Sequence, residues 1–288
     1  MAILLLMPTH AIRTVELPSG VRIPALGQGT WQMAEDARHI DDEIAALQVG
    51  IELGLRLIDT AEMYADGRAE QLVAQAIAGR RDQVYLVSKV LPSHSSRTGT
   101  IAACEASLRR LRTDRIDLYL LHWRGREPLE ETVAGFEALR EAGKIGGWGV
   151  SNLDVDDIEE LLAVDRGAAV QTDQVLYNLA RRGIENDLLP WCRTRGLPIM
   201  AYSPIERGEL ADHPTLARVA ARHHATSAQV ALAWVLRHPD VCAIPKASTP
   251  AHVRENHRAL DLHLGAHDLA ELDHAFPPPR RRVPLEMH

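Results

Sequence analysis

The sequence predicts an α/β fold, a (β/α)8 barrel with an N-terminal β-hairpin across its bottom, and three observations lead there. Eight short apolar runs recur along the chain: LRLIDT, QVYLVSKV, IDLYLLHW, GGWGVSN, AAVQTDQ, PIMAYSP, VCAIPKA and LDLHLG. Each has the length of a buried strand, and most stop abruptly on polar residues. Between them lie stretches of helical periodicity, so strand and helix alternate, which favours a parallel sheet with helical crossovers. Finally, eight such units fit a closed barrel of about 250 residues. No GxGxxG follows the first run, so the fingerprint of the open dinucleotide-binding sheet is absent.

The elements follow in order. VELPSGVRIPALGQGTW reads as a hairpin over about residues 13–31, turning at Pro18-Ser19-Gly20. Ile44, Leu47, Ile51 and Leu55 form one helical face, and Ile101, Cys104, Leu108 and Leu111 another. Leu129, Val133, Phe136 and Leu139 make a third, which Gly143 stops from the position of a glycine cap. Val155, Ile158 and Leu162 follow Asp154, a good N-cap. FPPPRRRVPLEMH, residues 276–288, reads as a short tail whose Arg280, Arg281 and Arg282 form a solvated run. No linker or change of composition divides the chain, so residues 1–288 are expected to form one domain.

The bulk numbers exclude several classes. With 46% hydrophobic and 25% charged residues, 288 residues can bury a substantial core. A net charge of −7 offers no basic face for nucleic acid. Cys104, Cys192 and Cys242 are odd in number and scattered, which suits a reducing compartment rather than a disulfide framework. The opening MAILLLM meets Pro8 without the basic start and cleavage site of a signal peptide, and no run reaches the ~20 apolar residues of a membrane span. These features predict a cytoplasmic protein. The fourteen histidines include no metal-ligand spacing, so no metal is expected.

In barrels of this kind chemistry gathers where strands end. Reading only those ends gives Asp59, Lys89 and His122 on three adjacent strands, with Tyr64 on the loop beyond the first of them. Tyrosine is a poor acid near neutrality, with a reference pKa of about 10. A lysine ammonium beside the phenol should lower that value, and an aspartate should keep the lysine charged. The chain Asp59–Lys89–Tyr64 then makes a proton donor for a carbonyl oxygen that is receiving a hydride, and His122 can orient that oxygen.

At these residues the sequence resembles the aldo-keto reductases. LIDTAEMY, LVSKV, YLLHW, WGVSN, AYSP and IPKAS match that family's motifs in order, from about LGQGTW to LHLG. DTAEMYADG, CEASLRRL and RGIENDLLPWC are most similar to short bacterial members that reduce small aldehydes, methylglyoxal reductases among them. The resemblance implies a catalytic tetrad of Asp59, Tyr64, Lys89 and His122, a nicotinamide cofactor across the barrel mouth, and no metal. It implies that Ser151, Asn152 and Gln174 hold the carboxamide, that the ring stacks on Tyr202, and that Ser203 and Pro204 open the loop along the pyrophosphate. Lys246 and Ser248 would meet the adenosine 2′-phosphate, and Glu255 and Asn256 the adenine. Where many members carry an arginine this chain has His252, with Arg254 two residues on. NADPH is therefore expected over NADH, with NADH possible and the preference smaller than usual. Trp31 and Trp123 would wall the substrate pocket beside Tyr64 and His122, with Met33 and Met63 as weaker candidates. The short tail suggests an open pocket for small carbonyls, and the family leans monomeric.

Two other readings stand beside the reductase. Lys89 at a strand end could serve a Schiff-base aldolase, which needs an uncharged amine. Relatives of the fold also act as cofactor-binding sensor subunits without significant turnover.

Overall fold

The computed structural model describes residues 12–288; the opening MAILLLM lies outside the described residues. A two-stranded antiparallel hairpin comes first, β1 (Thr14–Glu16) and β2 (Arg22–Pro24), joined through the turn expected at Pro18-Ser19-Gly20. Eight parallel strands then pair in chain order: β3 (Gln28–Gly29), β4 (Leu57–Asp59), β5 (Tyr85–Val90), β6 (Ile116–Leu121), β7 (Ile145–Ser151), β8 (Asp173–Leu176), β9 (Ile199–Tyr202) and β10 (Val241–Ala243). Two parallel bridges, Leu26 to Ala243 and Gly29 to Lys246, join the first of these to the last and close the ring.

Helices follow the strands as crossovers. They include α1 (Ile40–Glu52), α2 (Arg68–Ala76), α3 (Arg97–Leu111), α4 (Leu129–Glu141), α5 (Val155–Ala163) and α6 (Leu188–Thr194). Next come α7 (Pro214–Arg222), α8 (Ser227–Val235), α9 (Pro250–Arg258) and α10 (Ala266–Ala275). Their ends are those the side chains dictate. Asp154 accepts from the Asp157 backbone N–H, and Asp157 answers onto the Asp154 N–H, a reciprocal capping box that starts α5. Past the end of α4, Gly143 takes a φ of 70°, the left-handed value a glycine cap supplies.

One sequence expectation needs correcting. The eighth apolar run, LDLHLG, is not a strand: Ala259–Asp261 form a single 3-10 turn and the rest is irregular. The missing barrel strand is Gln28–Gly29, inside the segment assigned to the hairpin. The alternating leucines misled because Leu260, Leu262 and Leu264 do pack on the core, but from a connector between helices. The true strand carries no apolar run because its fit depends on small size. A Cβ on Gly29 would lie 2.6 Å from the Ile244 carbonyl oxygen across the seam. Beside it, Gln28 is buried and donates to the carbonyls of Leu47 and Leu55, against a glycine of α1, Gly50, whose Cβ would meet the same amide.

Strand alternation divides the core in two. Inside the barrel, Leu57, Val87, Leu118, Leu120, Met200 and Cys242 pack with Val15, Leu17 and Ile23 of the hairpin segment. Arg13 donates to the carbonyls of Leu236, Pro239 and Val241, at the start of β10, so the hairpin covers the N-terminal end of the barrel. The larger cluster fills the layer between sheet and helices and takes in Leu129, Val133, Phe136 and Leu139 of α4. The opposite, C-terminal rim stays free for a site.

Candidate active site

The alternation that buries Leu57, Val87 and Leu120 also turns Asp59, Lys89 and His122 toward the barrel axis, two residues or one pleat further on. Lys89 is completely buried. Its Nζ donates to Asp59 Oδ2 at 2.7 Å, to the Thr60 carbonyl at 2.9 Å and to the Tyr64 hydroxyl at 3.2 Å. The other Asp59 oxygen accepts from Gln174 Nε2 at 2.8 Å. Tyr64 opens a tight turn in which Ala65 and Asp66 both adopt positive φ, 48° and 54°, before α2 begins. The His122 ring stands edge-on to Tyr64, with centroids 5.7 Å apart. All four sequence-selected side chains therefore meet at one rim.

The electrostatics correct one expectation. Burial, then the Asp59 charge, push the Tyr64 phenol well above its ordinary pKa, not below it. The reason is that the Lys89 charge is already matched by Asp59, so little net field is left to favour phenolate. Burial also pulls the Lys89 pKa down, against the upward pull of Asp59. Three acceptors around one nitrogen, however, require three N–H donors, which only the ammonium has. Because Tyr64 accepts from Lys89, its own O–H is free to donate into the cavity. Burial and the Lys89 charge drop the His122 pKa to about 2, so the imidazole is neutral near pH 7. Its Nδ1 is sealed off without a partner. An unmatched lone pair costs less than an unmatched N–H, which assigns the proton to Nε2 on the cavity side.

The cavity, of about 400 Å³, is lined by Trp31, Tyr64, His122, Trp123, Ser151, Asn152, Gln174, Tyr202, Ser203, Pro204 and Lys246. Asn152, at a φ of 59°, donates to the His122 carbonyl and to Ser151 Oγ, and its Oδ1 accepts from the Tyr202 hydroxyl at 2.9 Å. Ser151 Oγ donates to the Gln174 carbonyl at 2.7 Å. These residues tie the ends of β7, β8 and β9 together.

Other sequence candidates stand apart from this cluster. Ser248 precedes α9, Arg254 is exposed and donates to the Pro250 carbonyl, and Glu255 accepts from the Thr226 hydroxyl at 2.6 Å. Asn256 is buried on α9. None of the four lines the cavity. Met33 is fully buried in the core and does not reach the site, whereas Met63 lines it.

The sequence reading also missed participants. Arg207 lies over the Trp31 ring at 4.3 Å, and Met287 and His288 of the tail line the cavity. The tail is pinned there: Arg181 bridges Glu206 and Glu286, and Arg282 pairs with Asp187 at 2.7 Å. Arg282 is thus not part of a free solvated run, because acids of the α5 and α6 starts face it. A contact between residues far apart in sequence leaves no local pattern to read.

A neutral phenol aimed into a cleft with an aromatic wall and a cation, Lys246, along it defines a class of protein: oxidoreductases that act on carbonyl groups with a nicotinamide cofactor. The chain belongs to the aldo/keto reductase family, whose pattern it matches over residues 25–276. It is 51% identical to the Escherichia coli methylglyoxal reductase YeaE over 280 residues, 96% of this chain and 99% of that one. It is 33% identical to a Bacillus subtilis glyoxal reductase, over 93% of this chain and 94% of the relative. An aldo-keto reductase from Klebsiella pneumoniae, solved in complex with NADPH, superposes with a TM-score of 0.94 at 50% identity, covering 97% of this chain and all of that one.

Proposed function

We propose that this protein reduces small aldehydes and ketones with NADPH, methylglyoxal-like 2-oxoaldehydes among them, and that Tyr64 is the proton donor. One observation carries the reading: Tyr64 accepts a hydrogen bond from Lys89 while keeping its own proton for the cavity. The residues along the cavity suit the cofactor. Tyr202 offers an aromatic face for the ring, Ser151, Asn152 and Gln174 offer polar groups for the carboxamide, and Ser203 and Pro204 begin the loop beside it. Lys246 supplies a cation for the 2′-phosphate, with Ser248, Arg254, Glu255 and Asn256 on the adjoining turn and helix. Bound there, NADPH supplies the hydride.

The chain's own residues do the rest. His122 Nε2–H donates to the substrate oxygen and fixes its direction. Tyr64 passes its proton to that oxygen as negative charge builds on it. Lys89, charged and already hydrogen-bonded to Tyr64, stabilises the phenolate left behind. Trp31 and Trp123, with Met63 and Met287, present an apolar wall that suits small carbonyl compounds. The saturated Lys89 nitrogen has no lone pair for a Schiff base, which removes support from the aldolase reading. No helix among the described residues is long and apolar enough to cross a membrane. We read the protein as cytoplasmic from its cysteine pattern and as a monomer from the family resemblance, to be checked by fractionation and light scattering.

The test follows absorbance of the reduced nicotinamide with methylglyoxal and a panel of aldehydes, using both cofactors. Turnover with NADPH is expected, together with a loss of about 10²-fold or more in Tyr64→Phe at unchanged cofactor affinity. Tight NADPH binding with no turnover on any aldehyde would instead support the sensor reading.

A further inference from the structure

The turn that carries Tyr64 is built from backbone that side chains ordinarily avoid. Ala65, Asp66 and Gly67 take φ values of 48°, 54° and 82° in succession, and only the third is a glycine. Left-handed backbone at two consecutive residues with a Cβ is unfavourable, and it persists only where the surroundings hold it. The far end of the turn is fixed, because α2 buries Leu72, Val73 and Ala76 in the core. Release of the strain would therefore move the near end, Tyr64, away from the Lys89 nitrogen.

What holds the turn lies outside the barrel. The Arg110 side chain of α3 runs across Gly67, so closely that a Cβ there would lie 2.6 Å from its Cδ and 2.7 Å from its Nε. The arginine is itself held: Nε donates to Glu70 Oε2 at 2.5 Å and Nη2 to Ser107 Oγ at 3.1 Å. Glu70, fully buried on α2, accepts from Ser88 Oγ at 2.6 Å with its other oxygen. Ser88 directly precedes Lys89 on β5, and the pleat points it outward as Lys89 points to the axis. The Tyr64 turn is thus joined to β5 through Lys89 inside the barrel and through Arg110, Glu70 and Ser88 outside it. Two further ties flank the turn: Glu62 accepts from the Leu91 N–H, before Tyr64, and Arg68 donates to the Ala34 carbonyl, after it. Arg110 meets the chain between them.

We propose that Arg110, braced by Glu70, is a positioning residue that keeps the Tyr64 hydroxyl at the Lys89 ammonium and on the reacting oxygen. Neither Arg110 nor Glu70 lines the cavity, so both act through Tyr64 and Lys89. Burial pulls the Lys89 pKa down, and the Glu70 charge joins Asp59 in opposing it. The Arg110–Glu70 contact is single rather than forked, so a lysine can supply the same cation and a similar stem across Gly67.

The experiment follows a single turnover of enzyme-bound NADPH with excess methylglyoxal in Arg110→Ala, Arg110→Ala/Glu70→Gln and Arg110→Lys. The rate constant should fall by about 10- to 10²-fold in the first two, with NADPH affinity by fluorescence quenching unchanged. Arg110→Lys should keep most of the wild-type rate. Poorer folding alone lowers the amplitude and leaves the rate constant as it was, which separates a scaffold from a positioning role. The double variant covers the case in which Arg110→Ala strands the Glu70 charge and fails to fold, because a buried glutamine is neutral and still accepts from Ser88. A wild-type rate constant in the double variant would overturn the proposal, as would a loss confined to NADPH affinity. Tyr64→Phe isolates the reading on which Arg110 depends: wild-type turnover there removes Tyr64 as the proton donor, whatever Arg110 does.

Discussion

Asp59 and Asp173 are equally shut off from water, at 2% and 0% exposure, yet they occupy opposite electrical surroundings. Asp59 sits inside the barrel rim with one oxygen on the Lys89 ammonium and the other on the Gln174 amide. Asp173, one residue before that glutamine, has no cation beside it among the described residues, and only the Leu153 backbone N–H points toward its carboxyl. The difference teaches that burial alone does not set a carboxylate's state; partners do. The same pleat that gives one acid its cation denies one to the other.

Removing the partner should abolish the contrast at the greatest cost. Lys89→Met leaves Asp59 as an unpaired buried charge, and a loss of about 3–5 kcal/mol in chemical denaturation is expected. Turnover should fall with it by at least the effect of Tyr64→Phe, and a variant with altered KM alone would contradict the mechanism. Gln174→Leu removes the second Asp59 contact but keeps the cation, so denaturation should show a smaller loss of about 1–3 kcal/mol.

The pH dependence sharpens the comparison further. His122 has a pKa of about 2 in the fold, so the unfolded chain takes up a proton that the folded chain refuses. Stability should fall as pH drops below about 6.5, and His122→Gln should flatten that acid limb in thermal melts. Asp173 acts with the opposite sign, its contribution lost as pH rises through its raised folded value. Near neutrality, Asp173→Asn removes a group that ionises on unfolding but not in the fold, so the variant should be the more stable of the two in chemical denaturation.

How legible these features were follows from where their causes lie. Asp59, Lys89 and His122 each terminate an apolar run, so strand length alone singled them out, and the reciprocal cap at Asp154 was visible as a polar residue before a periodic face. The shifted Tyr64 pKa was not legible, because it depends on how one ammonium divides its field between two neighbours. Nor were Arg207 over Trp31 or His288 in the cavity, which meet across 176 and more than 80 residues of chain respectively from Trp31 and Tyr202. Gln28–Gly29 escaped because its two residues have no apolar signature at all. Asp173 was visible as a residue but not as an anomaly, since AAVQTDQ does not say which of its side chains points outward.

That short strand has a consequence of its own. The ring is joined by three backbone hydrogen bonds: the Ala243 N–H meets the Ala25 carbonyl at 2.8 Å, the Gly27 N–H the Ala243 carbonyl at 2.8 Å and the Gly29 N–H the Pro245 carbonyl at 3.0 Å. Local opening is governed by how many such links must break together, so this junction should let its amide protons escape into heavy water sooner than β5 or β6 do. Trp31 follows it by two residues and Lys246 flanks it, so each such breath widens the doorway through which a dinucleotide enters and leaves.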